Sequence, residues 1–183
     1  MIFAPVAGVL AILLAVCMVR NLLFKSKGSE RMVDISNAVK AGAHAYIKRQ
    51  FLVAGLFGIG ITLALGIILG FAVAVAFSLG AVLSGLSAYI GMIVAINMNS
   101  RTASAALNSL NESIKVSTKS GNVVGLSLAG LGLMGVSLMY MIVGEPSLLL
   151  GMGFGASLIG LFARVGGGIY TKAADIGADL VGK

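Results

Sequence analysis

The sequence has few charged residues, one cysteine and one histidine, and each of these low counts argues against a kind of structure or site. Only 10% of the 183 residues are charged and 58% are hydrophobic, whereas about 25% of residues are charged in typical soluble domains. This composition excludes a soluble globular domain. The single Cys17 lies in an apolar run and cannot form a disulfide within the chain. His44 has no second ligand at metal-binding spacing, so it predicts neither a metal site nor a catalytic site.

Acidic residues are also scarce, and none of the six lies within an apolar run. This excludes the small, glycine-rich ring subunits of rotary ATPases, because those subunits need an ionisable carboxylate near the middle of the membrane. The 26 glycines have a simpler interpretation. Small residues allow membrane helices to approach one another closely where the hydrophobic effect does not drive association.

The apolar runs are long enough for five membrane crossings. A spanning helix needs about 20 apolar residues to cross about 30 Å of hydrocarbon. We therefore predict an all-α fold, a polytopic transmembrane helix bundle that forms a single membrane-embedded domain over residues 1–183. The predicted membrane helices are residues 2–19, 51–69, 77–97 with a polar helical extension, 121–143 and 148–182.

Residues 30–50 form a polar segment before the second apolar run. Apolar side chains recur in it at three- and four-residue intervals, which predicts an amphipathic helix. Such a helix either lies on the membrane surface or extends the second membrane helix into the cytoplasm. Its periodicity does not decide between these alternatives.

The 13 Lys and Arg residues outnumber the acids and give a formal charge of +7. With five crossings, all 13 fall on one side of the membrane, and the positive-inside rule assigns that side to the cytoplasm. We therefore expect an integral membrane protein, with the cell membrane as its location, an external N-terminus and lipid as a partner. No aromatic residues alternate with the basic ones, and the sequence matches no known nucleic-acid-binding domain, so we expect no nucleic-acid partner.

Most of the functional signal lies in the last twenty residues, RVGGGIYTKAADIGADLVGK. If this segment is helical, Arg164, Lys172, Asp175, Asp179 and Lys183 lie close to one face. The two aspartates are like charges one turn apart, which costs about 0.2–0.5 kcal/mol and favours a cation between them. Mg²⁺ suits that position, because it binds one or two carboxylates together with water and phosphate oxygens.

Three other interpretations apply to the same residues. The charges could form a solvated ladder on a helix end, and Arg164 could be an interfacial anchor that pairs or extends towards the headgroups. Residues 177–183 match the opening GxxxxGK of a nucleotide-binding loop. That loop requires a preceding buried strand, which the sequence does not predict.

The same twenty residues resemble the first catalytic signature of the membrane-integral pyrophosphatases, a GGGI(Y/F)TKAAD(V/I)GADLVGK run that ends a transmembrane helix on the cytoplasmic side. The segments ISNAVKAGAHAYIKRQF and AYIGMIVAINMNSRTASAA resemble the second and third helices of that family, and the former favours a continuous extension of the second helix. The resemblance covers residues 35–183.

The resemblance implies an ion-translocating diphosphatase that couples hydrolysis of Mg-diphosphate to export of H⁺ or Na⁺. It implies that Asp175 and Asp179 bind Mg²⁺ and that Lys172 and Lys183 bind diphosphate. It further implies that Arg164 belongs to the network coupling the site to an ion gate, and that the full-length protein is a homodimer with K⁺ as an optional activator. Asn99 and Arg101 are candidates for structural groups near the site.

The sequence departs from that family in length and in acidic residues. Members are about four times longer and take their remaining catalytic aspartates from later helices, none of which this chain contains. We therefore predict that the chain is an N-terminal portion, truncated or split, that is inactive by itself. The alternative is a small five-helix scaffold or channel component without catalysis.

Overall fold

The computed structural model describes residues 2–182 and contains five α-helices and no strand over that range. Each helix is long and apolar enough to cross a membrane, so the predicted all-α membrane bundle is confirmed. The helices are α1 (Phe3–Leu23), α2 (Glu30–Ile68), α3 (Phe71–Asn108), α4 (Leu110–Val143) and α5 (Pro146–Gly182).

Four of the helices are longer than a membrane crossing requires. Helices α2 to α5 have 34–39 residues, and at 1.5 Å per residue they reach about 50–60 Å, compared with about 30 Å of hydrocarbon. In α2 the extra length is the segment from Glu30 to Gln50, which continues the membrane helix without a break. Residues 30–50 are therefore a continuous extension of the second membrane helix and not a separate surface helix.

The connections between helices are short and follow local sequence signals. Gly28, Gly70 and Gly144 have positive φ angles of 88°, 100° and 73°, a region that glycine adopts without the steric penalty of a side chain. Ser29 caps α2, its hydroxyl accepting a hydrogen bond from the Met32 backbone N–H. A turn at Gly70 lets α3 begin at Phe71, six residues before the start at residue 77 that the apolar run suggested.

The largest difference from the sequence-based expectation lies at Ser109. The polar segment after residue 97 was expected to continue as one helix, but α3 ends at Asn108 and α4 begins at Leu110. Ser109 is extended, and its hydroxyl accepts a hydrogen bond from the Glu112 backbone N–H at 3.2 Å. The sequence Ser109–Glu112 has the S-x-x-E form of a capping box, which stabilises a helix start at this point. Helix α4 therefore begins eleven residues before the predicted residue 121.

Helix α3 lies at the centre of the bundle and packs against α2, α4 and α5, while α1 packs against α4. One buried apolar cluster joins α1, α3 and α4, and it includes Ala15, Leu22, Val94, Met98, Val116 and Val123. A second joins α3, α4 and α5 through Ala76, Met139, Leu148 and Met152. Many large apolar side chains remain exposed, as expected where lipid covers the outer surface.

Glycines allow the closest helix contacts. A Cβ atom at Gly155 would overlap the Phe77 carbonyl of α3, and one at Gly80 would overlap the Met152 carbonyl of α5. Helices α3 and α5 thus touch backbone to backbone, which fixes α5 both along its axis and in rotation. That rotation sets the direction of the charged residues farther along α5.

Candidate functional site

Helix α5 carries the residues that the sequence analysis selected. It is unbroken from Pro146 to Gly182, so at 3.6 residues per turn Arg164, Lys172, Asp175 and Asp179 lie within an arc of about 80°. We call these four residues the charged face. Asp175 and Asp179 are separated by one turn, about 6 Å along the axis and about 40° around it. Lys183 lies outside the described residues.

The opposite side of α5 packs against the rest of the chain. Its buried residues are Leu148, Met152, Gly155, Ile159 and Gly166. At about 100° per residue, their mean direction lies about 170° from the centre of the charged face. The charged face therefore points away from the other four helices.

The end of α5 makes no close packing with the described part of the chain. Every residue from 171 to 182 is exposed, including Lys172, Asp175 and Asp179, and Arg164 is exposed two turns before Lys172. The one ion pair among residues 2–182 is elsewhere, between Lys25 and Glu112 at 3.9 Å. All four side chains of the charged face thus remain accessible to a ligand or to another protein segment.

The donor set of the charged face suits one kind of metal site. Within residues 2–182 no three His, Cys, Asp or Glu side chains are grouped closely enough to hold an ion. The pair Asp175 and Asp179 supplies two carboxylates, and Mg²⁺ usually takes one or two from protein when water and phosphate oxygens complete its shell. The residues present therefore fit Mg²⁺ bound together with a phosphate ligand, and a site with several metals needs carboxylates from elsewhere.

The rotation of α5 is fixed at the membrane exit by a contact with α2 that the sequence analysis did not identify. Gln50 Nε2 donates a hydrogen bond to the Phe162 carbonyl at 2.6 Å. Tyr46 stacks on Tyr170 with ring centroids 5.2 Å apart. We call Tyr46, Gln50, Gly166 and Tyr170 the α2–α5 contact.

Gly166 gives the α2–α5 contact its close fit. A Cβ atom there would lie 2.5 Å from Gln50 Oε1 and 2.6 Å from the Tyr46 hydroxyl. Its neighbours Gly167 and Gly168 have nothing within 4 Å of the corresponding position. Of the three consecutive glycines, only Gly166 therefore takes part in close packing.

Of the other two polar candidates, Arg101 has a structural role. Arg101 is only 5% exposed and donates hydrogen bonds to the carbonyls of Asn97 at 2.7 Å and Leu23 at 3.1 Å. It therefore joins α3 to the carboxyl end of α1, where a positive charge is favourable. Asn99 and His44 are exposed, and His44 Nδ1 lies 2.7 Å from the Lys40 carbonyl within α2.

Five long apolar helices and a cluster of charges at the end of one of them define an integral membrane protein with a candidate site for a metal and an anion at one membrane surface. The chain belongs to the inorganic H⁺ pyrophosphatase family, whose sequence model matches residues 9–183. The family resemblance read from the sequence is thereby confirmed.

Individual relatives agree with the family match. The chain is 43% identical over 182 residues to a K(+)-insensitive pyrophosphate-energized proton pump of Methanosarcina mazei, covering 98% of this chain. It is 44% identical over 187 residues to a K(+)-insensitive pyrophosphate-energized proton pump of Moorella thermoacetica. It is 40% identical over 201 residues to a putative K(+)-stimulated pyrophosphate-energized sodium pump of Bacteroides thetaiotaomicron. The chain spans 27% of the length of each of these three relatives.

Proposed function

We propose that this chain supplies one wall of the diphosphate site of an ion-translocating membrane pyrophosphatase. The observation that carries the proposal is the charged face of α5, which is continuous with a membrane helix, accessible, and turned away from the other helices of the chain. The family match supports diphosphate as the phosphate ligand. Residues 1–183 would then be part of a single membrane-embedded domain.

In this proposal Asp175 and Asp179 hold Mg²⁺, and Lys172 and Lys183 bind the diphosphate oxygens. A Mg²⁺ ion held by these two carboxylates would supply positive charge to the phosphates and help to orient the substrate. Lysine ammonium groups add positive charge that stabilises the negative charge developing on the phosphates. Arg164 lies eight residues before Lys172, about 12 Å along the axis, and we assign it to the network that connects hydrolysis to ion movement.

The distribution of basic residues supports a cytoplasmic site. Successive helices in a five-crossing bundle alternate in direction. One side of the membrane therefore holds the ends of α1, α3 and α5 and the starts of α2 and α4. All twelve Lys and Arg within residues 2–182 lie in these halves of the helices or in the loop between α1 and α2. The positive-inside rule supports a cytoplasmic assignment for this side, with an external N-terminus and the cell membrane as the location.

The family resemblance also supports a homodimer and either H⁺ or Na⁺ as the exported ion. The relatives include pumps named as K⁺-insensitive and as K⁺-stimulated, so K⁺ activation is a property to be tested. We expect no diphosphate hydrolysis by the 183-residue chain alone, because the described residues place no third carboxylate near Asp175 and Asp179.

A chimeric pump tests the proposal. Residues 1–183 replace the matching segment of the Methanosarcina mazei relative, which is aligned over 98% of this chain. We expect the chimera to hydrolyse Mg-diphosphate, and Asp175→Asn or Asp179→Asn to lower kcat/KM by about 100-fold or more through loss of a metal ligand. Asp34→Asn is the matched control, because Asp34 is an exposed carboxylate on α2 and lies about 140° around that helix from Val39, whose carbonyl accepts a hydrogen bond from Tyr170 of α5.

Three results would contradict the proposal. One is an inserted chimera that does not hydrolyse diphosphate. The second is an Asp179→Asn chimera with the rate and Mg²⁺ dependence of the unsubstituted one. The third is equal loss of activity in Asp34→Asn, which would show that any lost carboxylate has the same effect. Phosphate release is measured at several Mg²⁺ concentrations, so that a weakened metal site is separated from a misfolded protein.

A further inference from the structure

A groove of about 460 Å³ lies between α2 and α3, on the membrane-spanning part of the bundle. One wall is a face of α2 from Phe51 to Thr62, and the other is a face of α3 from Ser78 to Tyr89. Ile159 of α5 lies between them and is buried. The groove is lined almost entirely by apolar atoms, and its volume is in the range of pockets that bind small molecules.

Glycines create the open space of the groove. A Cβ atom added at Gly55 would meet nothing within 4 Å. At Gly58 and Gly85 the nearest atoms of Ile159 would be 3.8 Å and 3.7 Å away. The space next to Gly55 is therefore empty of protein from this chain, and a larger side chain there would enter the groove without displacing a neighbour.

The groove has the length of one leaflet of a bilayer. From Phe51 to Thr62 the α2 axis rises by about 16 Å, which is half of a hydrocarbon core of about 30 Å. The inner end, towards the middle of the membrane, is formed by the hydroxyl groups of Thr62 and Ser78, whose oxygens are 3.2 Å apart. The outer end, towards the membrane surface, is formed by Phe51 and Tyr89, with ring centroids 6.0 Å apart in an edge-to-face arrangement.

The outer end lies at the depth where charged residues begin. Gln50 of α2 lies at the same depth in the membrane as Phe162 of α5, because the Gln50 side chain is hydrogen-bonded to the Phe162 carbonyl. Arg164 follows two residues later on α5. Lys48 is exposed and lies three residues before Phe51, about 60° from it around α2 and on the side of the groove. Tyr89 is 47% exposed, as is typical of aromatic residues at the membrane interface. An apolar groove therefore ends beside a cation at headgroup depth.

The groove opens on the side of the bundle opposite to the proposed catalytic site. Ile159 lies about 180° around α5 from the centre of the charged face. If the longer protein meets the charged face, as the proposed function requires, the groove is on the outer perimeter of this part of the molecule. The groove then faces the lipids of the bilayer.

We propose that the groove binds one acyl chain of an anionic phospholipid from the cytoplasmic leaflet, with the headgroup phosphate beside Lys48. The length of the groove, its apolar lining and the positive charge at its outer end each match one part of such a lipid. The side on which it opens rests on the proposed function. The competing occupant is a helix from another part of a longer protein.

Native mass spectrometry of the detergent-purified 183-residue chain, titrated with phosphatidylglycerol or phosphatidylcholine of the same acyl chains, tests the proposal. We expect one tightly retained phosphatidylglycerol, which Gly55→Leu removes. Gly60→Leu is the matched control, because Gly60 also has nothing within 4 Å of an added Cβ but lies on the opposite face of α2. Both variants gain the same helix propensity, so they differ only in whether they fill the groove.

Lys48→Gln provides a second measurement that does not depend on filling the groove. We expect it to reduce the preference for phosphatidylglycerol over phosphatidylcholine about fivefold, the contribution of one basic residue near an anionic membrane surface. Retention of the lipid by Gly55→Leu, or an unchanged lipid preference in Lys48→Gln, would overturn the proposal.

The chimeric pump distinguishes lipid from a protein helix. If the chimera retains a lipid and Gly55→Leu removes that lipid, the proposal is supported. If the unsubstituted chimera retains no lipid, protein fills the groove and the proposal is overturned. The Asp179→Asn chimera should keep the lipid. Failure of the catalytic proposal and failure of the lipid proposal therefore give different results.

Discussion

The α2–α5 contact predicts that two adjacent glycines respond oppositely to the same substitution. Gly166→Ala would place a Cβ atom 2.5 Å from Gln50 Oε1 and 2.6 Å from the Tyr46 hydroxyl, whereas Gly167→Ala meets nothing within 4 Å. An ordinary contact is longer by about 1 Å. Neither neighbour can move freely, because Gln50 is hydrogen-bonded to the Phe162 carbonyl and Tyr46 is stacked on Tyr170.

The size of the effect follows from those two interactions. Losing the Gln50 hydrogen bond costs about 0.5–1.5 kcal/mol, and losing the aromatic pair costs a similar amount. Both substitutions gain up to about 1 kcal/mol of helix propensity, which cancels when the two variants are compared. We therefore expect the free energy of unfolding of Gly166→Ala to be about 1–3 kcal/mol below that of Gly167→Ala.

The assay is the thermal midpoint in detergent, followed by circular dichroism at a fixed scan rate because membrane proteins often unfold irreversibly. For a chain of this size we expect Gly166→Ala to unfold about 2–12 °C below Gly167→Ala. In the chimeric pump it should also lower diphosphate hydrolysis, because displaced Gln50 and Tyr46 no longer fix the rotation of the charged face. A midpoint for Gly166→Ala equal to or above that of Gly167→Ala would refute the reasoning.

Three further predictions concern the bundle, and each is measured by the same thermal midpoint. Gly155→Ala places a Cβ atom against the Phe77 carbonyl and should cost about 1–3 kcal/mol or more relative to Gly153→Ala, which meets nothing within 4 Å; equal midpoints would contradict the close α3–α5 contact. Arg101→Lys replaces the two guanidinium nitrogens that bond Asn97 and Leu23 by a single ammonium nitrogen, so we expect at least one bond to be lost at a cost of about 1.5–3 kcal/mol; the exposed Arg49→Lys is its control and should be neutral. Ser109→Ala removes the acceptor for the Glu112 N–H and should cost about 1 kcal/mol, while Ser109→Asp should retain the cap.

The membrane architecture could be predicted because it depends on composition and local pattern. Five apolar runs gave five crossings, and the periodicity of residues 30–50 gave a helix. The break at Ser109 was missed, although its S-x-x-E spacing is a readable start signal. The polarity of the segment is even on both sides of residue 109, so composition alone shows no break there.

The packing could not be predicted in the same way, because it depends on neighbours that are distant in sequence. Gly166 and Gly167 are locally equivalent, and only the presence of Tyr46 and Gln50 on α2 distinguishes them. For the candidate site, spacing was enough to place Asp175 and Asp179 on one face of a helix. The direction of that face required the contacts of α5 with α2 and α3.

That direction bears on the interpretation of the charges as a solvated ladder. In a solvated ladder of charges, an ion pair between Lys172 and Asp175, at positions i and i+3, would stabilise the helix by about 0.2–0.5 kcal/mol. The one ion pair within residues 2–182 instead joins Lys25 and Glu112. The helix from 171 to 182 is also exposed on every side and includes Gly177 and Gly182. As the last part of the 37-residue helix α5, this segment does not have to nucleate by itself. The stripe that carries Asp175, Asp179 and Lys172 is therefore held in a fixed direction by α5 and stays open to a ligand, which a ladder satisfied by its own ion pairs would not.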